Sequence, residues 1–80
     1  MSKTFIITGT STGIGNATAK ILLKKKYKVI GLSRKKTISH KRYEHIFFDA
    51  GIENLETEIN NKILINENID GLVNNLGSNI

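Results

Sequence analysis

The sequence predicts an α/β fold built on a parallel sheet. Three observations carry that expectation. Short apolar runs recur at residues 4–8, 28–32, 45–48 and 70–74. The first, β-branched and aromatic, suits a strand buried on both faces. Two of the intervening segments place apolar residues at helical spacing, and a glycine-rich loop joins the first run to the first of these. The predicted order is strand, helix, strand, loop, strand, helix, strand. Strands separated by such connectors lie parallel, with right-handed crossovers.

The first strand reads Thr-Phe-Ile-Ile-Thr at residues 4–8 and ends at Gly9. Residues 9–15 form the loop, with three glycines. A helix is expected over residues 16–26, which lack Gly and Pro. Its apolar stripe is read as Ile14, Ala17, Ile21 and Leu22, with Lys20 and Lys24 on the outer side. Lysines in its last turn complement the helix dipole. The second strand is expected over residues 28–32. Residues 33–43 are polar and basic without periodicity, and read as an exposed loop. The third strand is placed at residues 45–48. Ile52, Leu55, Ile59 and Ile63 make one stripe of a second helix over residues 52–66, and residues 70–74 form the fourth strand. No repeat, linker or internal domain boundary is visible.

Composition narrows the function classes. Eighty residues hold one domain or part of one. With no cysteine there is no disulfide framework, thiolate metal site or cysteine nucleophile. His40 and His45 cannot form a His-rich metal centre alone. No apolar run approaches the roughly 20 residues of a membrane span, and the start lacks a secretory apolar core. The expected partners therefore include no membrane, and the expected compartment is cytoplasmic. The net charge of +5 hides an asymmetry: residues 1–43 carry +11 and no acid, whereas residues 44–80 carry −6. A basic half can mark a nucleic acid, a membrane surface or a phosphorylated cofactor, but charge alone favours a solvated lysine face plus a polar loop.

The loop Thr8-Gly9-Thr10-Ser11-Thr12-Gly13-Ile14-Gly15 sits between a strand and a helix start. A helix N-terminus offers unpaired N–H groups and the positive end of the dipole. Glycines let the chain turn tightly and admit a pyrophosphate with no Cβ in the way. Thr10, Ser11 and Thr12 are read as further hydroxyl donors to this cradle. The Gly-Lys-Ser/Thr ending of a P-loop is missing, and the spacing G-x-x-x-G-x-G differs from G-x-G-x-x-G.

This loop resembles the T-G-x-x-x-G-I-G cofactor loop of the short-chain dehydrogenase/reductase (SDR) family, in its non-extended branch. Arg34 after the second strand, Asp49 after the third and Asn74-Asn75-Leu76-Gly77 after the fourth fall in the same order as in that family. The last resembles its N-N-A-G motif, with Leu76 where Ala is usual. The resemblance implies a Rossmann-type, doubly wound parallel sheet with strand order 3-2-1-4. It covers nearly all of residues 1–80, which correspond to the N-terminal part of a single NAD(P)-binding domain, incomplete at the fourth strand. That strand would normally pair with a fifth. An open edge invites association, so a homo-oligomer is expected.

The end of the second strand in a dinucleotide-binding fold meets the adenosine ribose. An acid there favours NAD(H), and an Arg accommodates a 2′-phosphate. Ser33-Arg34-Lys35-Lys36 contains no acid, so NADP(H) is expected over NAD(H), with Ser33 and Arg34 on the phosphate. The resemblance assigns Asp49 and Ala50 to the adenine; capping the following helix is the other reading of Asp49. It further assigns Asn75, Leu76 and Gly77 to the cofactor ribose, and makes Thr8 and Asn74 a structural tie between strands. With Gly9, Gly13, Ile14 and Gly15 these complete the candidate cofactor site.

The family's chemistry requires a Ser, a Tyr and a Lys four residues after that Tyr. The Lys lowers a phenol pKa that is otherwise about 10. Tyr27 and Tyr43 are followed at that spacing by Gly31 and Phe47, so no catalytic residue is assigned. The resemblance implies the cofactor-binding part of an NADP(H)-dependent oxidoreductase. Its full-length form would act on a small carbonyl or alcohol by hydride transfer, and the fragment alone would be inactive. The alternative is a non-catalytic nucleotide-binding or regulatory module. Aromatics do not interleave with the basic run, so no nucleic-acid partner is expected.

Overall fold

The computed structural model describes residues 3–10, 13–49, 54, 57 and 68–74. The elements run β1 (Thr4–Thr8), α1 (Gly13–Lys24), β2 (Lys28–Ser33), β3 (Tyr43–Phe47) and β4 (Gly71–Val73). The strands form one sheet in the order β3-β2-β1-β4. Every pairing is parallel. The α/β class and the strand order are as expected. The second helix predicted at 52–66 lies outside the described residues, apart from two positions. Thr57 is helical, and its N–H donates to Asn54 Oδ1 at 3.0 Å. That contact is the one an N-cap makes with the third residue of a helix. Asn54 therefore supplies a cap at Thr57.

Register decides which side chains share a face. Ile7 pairs with Gly31, Val29 with Tyr43 and Ile6 with Ile30. Because side chains alternate along a strand, Ile7, Val29 and Tyr43 face one side. They pack there with Ala19 and Leu23 of α1 and with Ile38. Ile6, Ile30 and Leu32 face the other side and pack with Phe48. Ile6, Ile7, Ile30 and Leu32 are at most 1% exposed. Each such burial stabilises the fold by about 1.5–3 kcal/mol.

Three expectations need correction. The buried face of α1 is Gly15, Ala19 and Leu23, not the stripe through Ile14, Ala17 and Ile21. Ile14 is 74% exposed and Ile21 57%. Small residues at positions 15 and 19 let the helix axis approach the sheet, whereas the larger isoleucines would hold it away. The helix also begins earlier than expected, at Gly13 rather than Asn16. Second, β3 starts at Tyr43 and ends at Phe47, two residues ahead of the expected start and one short of the expected end. Third, the 33–43 segment is not simply an exposed loop. Ser33 belongs to β2, Tyr43 belongs to β3, and Ile38 is buried in the α1 face of the core. A single apolar residue in a polar run has no periodicity to announce it.

The C-terminal end of α1 closes tightly. Lys26 N donates to Leu23 O at 2.9 Å and Tyr27 N to Leu22 O at 3.1 Å. Lys26 adopts φ 69°. Two nested bonds around a left-handed residue form a Schellman motif, a position usually held by Gly. The Tyr27 ring then lies 5.4 Å from that of Phe5, tying the turn to β1.

Candidate functional site

All four strands point their C-terminal ends to one edge of the sheet, because all pairings are parallel. That edge gathers Gly9, Ser33, Arg34, Asp49 and Asn74. The chain runs from β1 outward through β2 to β3 and then returns to the other side of β1 as β4. The reversal between β1 and β4 is a topological switch point, where open α/β sheets bind ligands. Thr8 Oγ1 donates to Asn74 Oδ1 at 3.0 Å across it. This is the strand tie the resemblance implies for those two residues, and Thr8 is fully buried.

The glycine loop leads from β1 into α1. Gly9 has φ 69° and Gly13 φ 62°. Both lie in the left-handed region, which an L side chain enters only under strain. Gly9 N–H donates to Leu32 O at 2.8 Å, fixing the loop's departure from the sheet. Among the described residues, a Cβ at Gly13 would meet nothing within 4 Å beyond its chain neighbours and the adjoining α1 backbone. The first turn of α1 holds no acid to fill the positive end of the dipole. Gly15 is buried against the sheet and Ile14 stands exposed beside the loop. Gly9 and Gly13 thus carry the left-handed turns that lead into α1, Gly15 is buried behind them, and Ile14 is exposed.

Two assigned hydroxyls turn inward. Thr10 is 1% exposed, and its Oγ1 lies 2.9 Å from the Tyr43 hydroxyl and 3.4 Å from Ser33 Oγ. The expectation that the Thr10 hydroxyl lines the anion cradle is therefore corrected: it faces the sheet. Ser33 is 5% exposed, and its hydroxyl donates to Lys35 O at 2.6 Å. That bond closes a turn placing Arg34 just beyond β2, where it is exposed with Lys35 and Lys36. In this arrangement Ser33 shapes the turn and Arg34 presents the charge. Asp49 is half-buried just past β3. Ser11, Thr12, Ala50, Asn75, Leu76 and Gly77 lie outside the described residues.

Sequence reasoning missed four participants. Asn16 Nδ2 donates both to Thr10 O, at 3.1 Å, and to Thr37 Oγ1, at 3.2 Å. Thr37 Oγ1 donates in turn to Thr10 O at 3.4 Å. The start of α1, the glycine loop and the 36–42 segment are thereby bracketed together. Tyr43 and His45 join from β3, with His45 Nε2 at 3.1 Å from both Ser33 Oγ and Ser33 O. Their one signal was Gly31, a glycine inside an apolar strand. Such a residue often marks a close approach of other atoms. A Cβ there would run into the Tyr43 hydroxyl and lie 2.7 Å from Thr10 Oγ1. Burial raises the Tyr43 pKa above 10, against a smaller lowering by the Thr10 hydrogen bond.

At the other end of α1, two adjoining depressions of about 460 and 370 Å³ separate the helix from residues 37–42. Lys20, Lys24, Lys41 and Arg42 rim them above Leu23 and Ile38. Among the described residues no group of three or more His, Asp and Glu could hold a metal ion. Among them, too, no helix is long and apolar enough to cross a membrane. Compared with family models, curated proteins and solved structures, the chain gives no match in any of the three.

Proposed function

We propose that this chain binds the adenosine end of NADP(H), as the cofactor-binding part of a short-chain oxidoreductase on a Rossmann-type sheet. The observation that carries this reading is the pair of left-handed glycines, Gly9 and Gly13, opening into an acid-free helix start beside the β1–β4 switch point. The described residues fit the group. The open side of Gly13 admits a pyrophosphate without a Cβ in the way. Arg34, exposed on its turn with no acid among residues 33–36, is suited to fork onto a 2′-phosphate. Asp49 stands half-buried past β3, where an adenine amino group would be read.

When bound, the nicotinamide would supply hydride exchange with a small carbonyl or alcohol. The residues described here bind and orient the nucleotide; none of them is assigned to proton transfer. Titration with NADPH, NADH and duplex DNA at two salt concentrations tests the reading. NADPH should bind more tightly than NADH, and Arg34→Asp should reverse the order by about tenfold or more. Unchanged selectivity in Arg34→Asp would overturn the 2′-phosphate assignment. Preferential DNA binding with a steep salt dependence would instead make the basic half a phosphate-backbone surface.

A further inference from the structure

Proton counting gives the buried polar cluster at the end of β2 a direction. Ser33 has one hydroxyl hydrogen, and the Lys35 carbonyl takes it at 2.6 Å. Ser33 Oγ can therefore only accept from its other neighbours. Thr10 Oγ1 donates to it at 3.4 Å, which uses the only Thr10 hydroxyl hydrogen. The Tyr43 hydroxyl must then donate to Thr10 Oγ1 at 2.9 Å. His45 Nε2 faces two acceptors, Ser33 Oγ and Ser33 O, so it carries a hydrogen shared between them. The chain runs one way: Tyr43 to Thr10 to Ser33 to the Lys35 carbonyl, with His45 bracing Ser33.

This chain adds a side-chain tie between two elements that lie just past the β1–β2 pairing, which ends at Thr8 and Leu32. Thr10 belongs to the glycine loop, and the Ser33–Lys35 bond defines the turn that carries Arg34. Gly31 is the room the chain needs, since a Cβ there would strike both Tyr43 and Thr10. We propose that Tyr43 and Thr10 are specificity-determining positioning residues. Through Ser33 they set the separation between the pyrophosphate cradle and Arg34, and so select a dinucleotide bearing a 2′-phosphate. The proposal rests on the NADP(H) reading and adds to it two residues whose hydroxyls face away from the ligand.

A positioning role and a merely structural one differ in what they move. Tyr43→Phe and Thr10→Val keep the shape of the buried side chains and remove one hydroxyl each. Each should reduce the preference for NADPH over NADH by about tenfold, the scale of one well-placed charged contact. NADH affinity should stay within about twofold. Thr10→Ser retains the hydroxyl and should retain the preference. The double variant should lose no more than either single one, because both break the same chain. Equal losses for the two nucleotides, or an unchanged ratio, would overturn the proposal while leaving NADP(H) binding intact. Failure of the unaltered chain to bind either nucleotide would overturn the functional reading itself. Amide exchange at Arg34 and Lys35 then decides the positioning alone: faster exchange in Tyr43→Phe supports it, and unchanged exchange sinks it.

Discussion

The two ends of α1 solve the same backbone problem with different residues. Each needs left-handed backbone where helix meets loop. At the N-terminal end Gly9 and Gly13 provide it, at φ 69° and 62°. At the C-terminal end Lys26 provides it, at φ 69°. Any non-glycine residue held there costs about 1–2 kcal/mol. The chain tolerates that cost beside Lys24 and Lys25, where the helix end meets solvent and the dipole favours cations. At the other end a side chain would stand in the open space above Gly13. The difference teaches that φ alone does not require glycine here, since a lysine also adopts it; on the proposed function, glycine at position 13 keeps the nucleotide's approach clear.

Substitutions along α1 can break or sharpen that contrast. The largest effect is expected between the two ends. Ala19 is fully buried against the sheet. Ala19→Leu should overpack the contact and cost about 1–3 kcal/mol, read as a shift in denaturant midpoint. It disturbs both ends together and so calibrates the other two. Gly13→Ala comes next. Its Cβ meets no described residue beyond the adjoining backbone, so the stability loss should be the backbone strain alone, about 1–2 kcal/mol. NADPH affinity should nevertheless fall by about tenfold or more, because the methyl group enters the cradle. If stability falls and affinity holds, the open side of Gly13 is not a ligand approach. Lys26→Gly should have the smallest effect and the opposite sign. Relief of the left-handed strain should raise stability by about 0.5–1 kcal/mol, with nucleotide affinity unchanged. A destabilised Lys26→Gly would mean that its side chain contributes more than its backbone costs.

Much of this fold was legible because strand burial leaves a plain mark. The Ile6-Ile7 and Val29-Ile30 pairs read as buried strand and are buried strand. The helix was found, but its face was misjudged by about one residue's rotation. Hydropathy ranks Ile14 and Ile21 above Gly15 and Ala19, yet a helix lying close on a sheet favours small side chains at the contact. The glycine loop and the exposed Arg34 were legible from their positions after strands. The inward turn of Thr10 and Ser33 was not. A hydroxyl in a loop can serve a ligand or the interior, and only the partners across β2 and β3 distinguish the two.

The sequence alone determined the order of elements, the acid-free start of α1 and the glycines that permit its left-handed turns. These are local properties, set by φ/ψ sterics and by burial pattern within a few residues. Tertiary structure decided the rest. It chose which face of α1 meets the sheet, buried Ile38 from within a polar run, and placed Tyr43 over Gly31 in reach of Thr10. Those outcomes depend on register between strands far apart in sequence. A one-residue slip between β2 and β3 would send Tyr43 to the opposite face and leave the hydroxyl chain without its first donor.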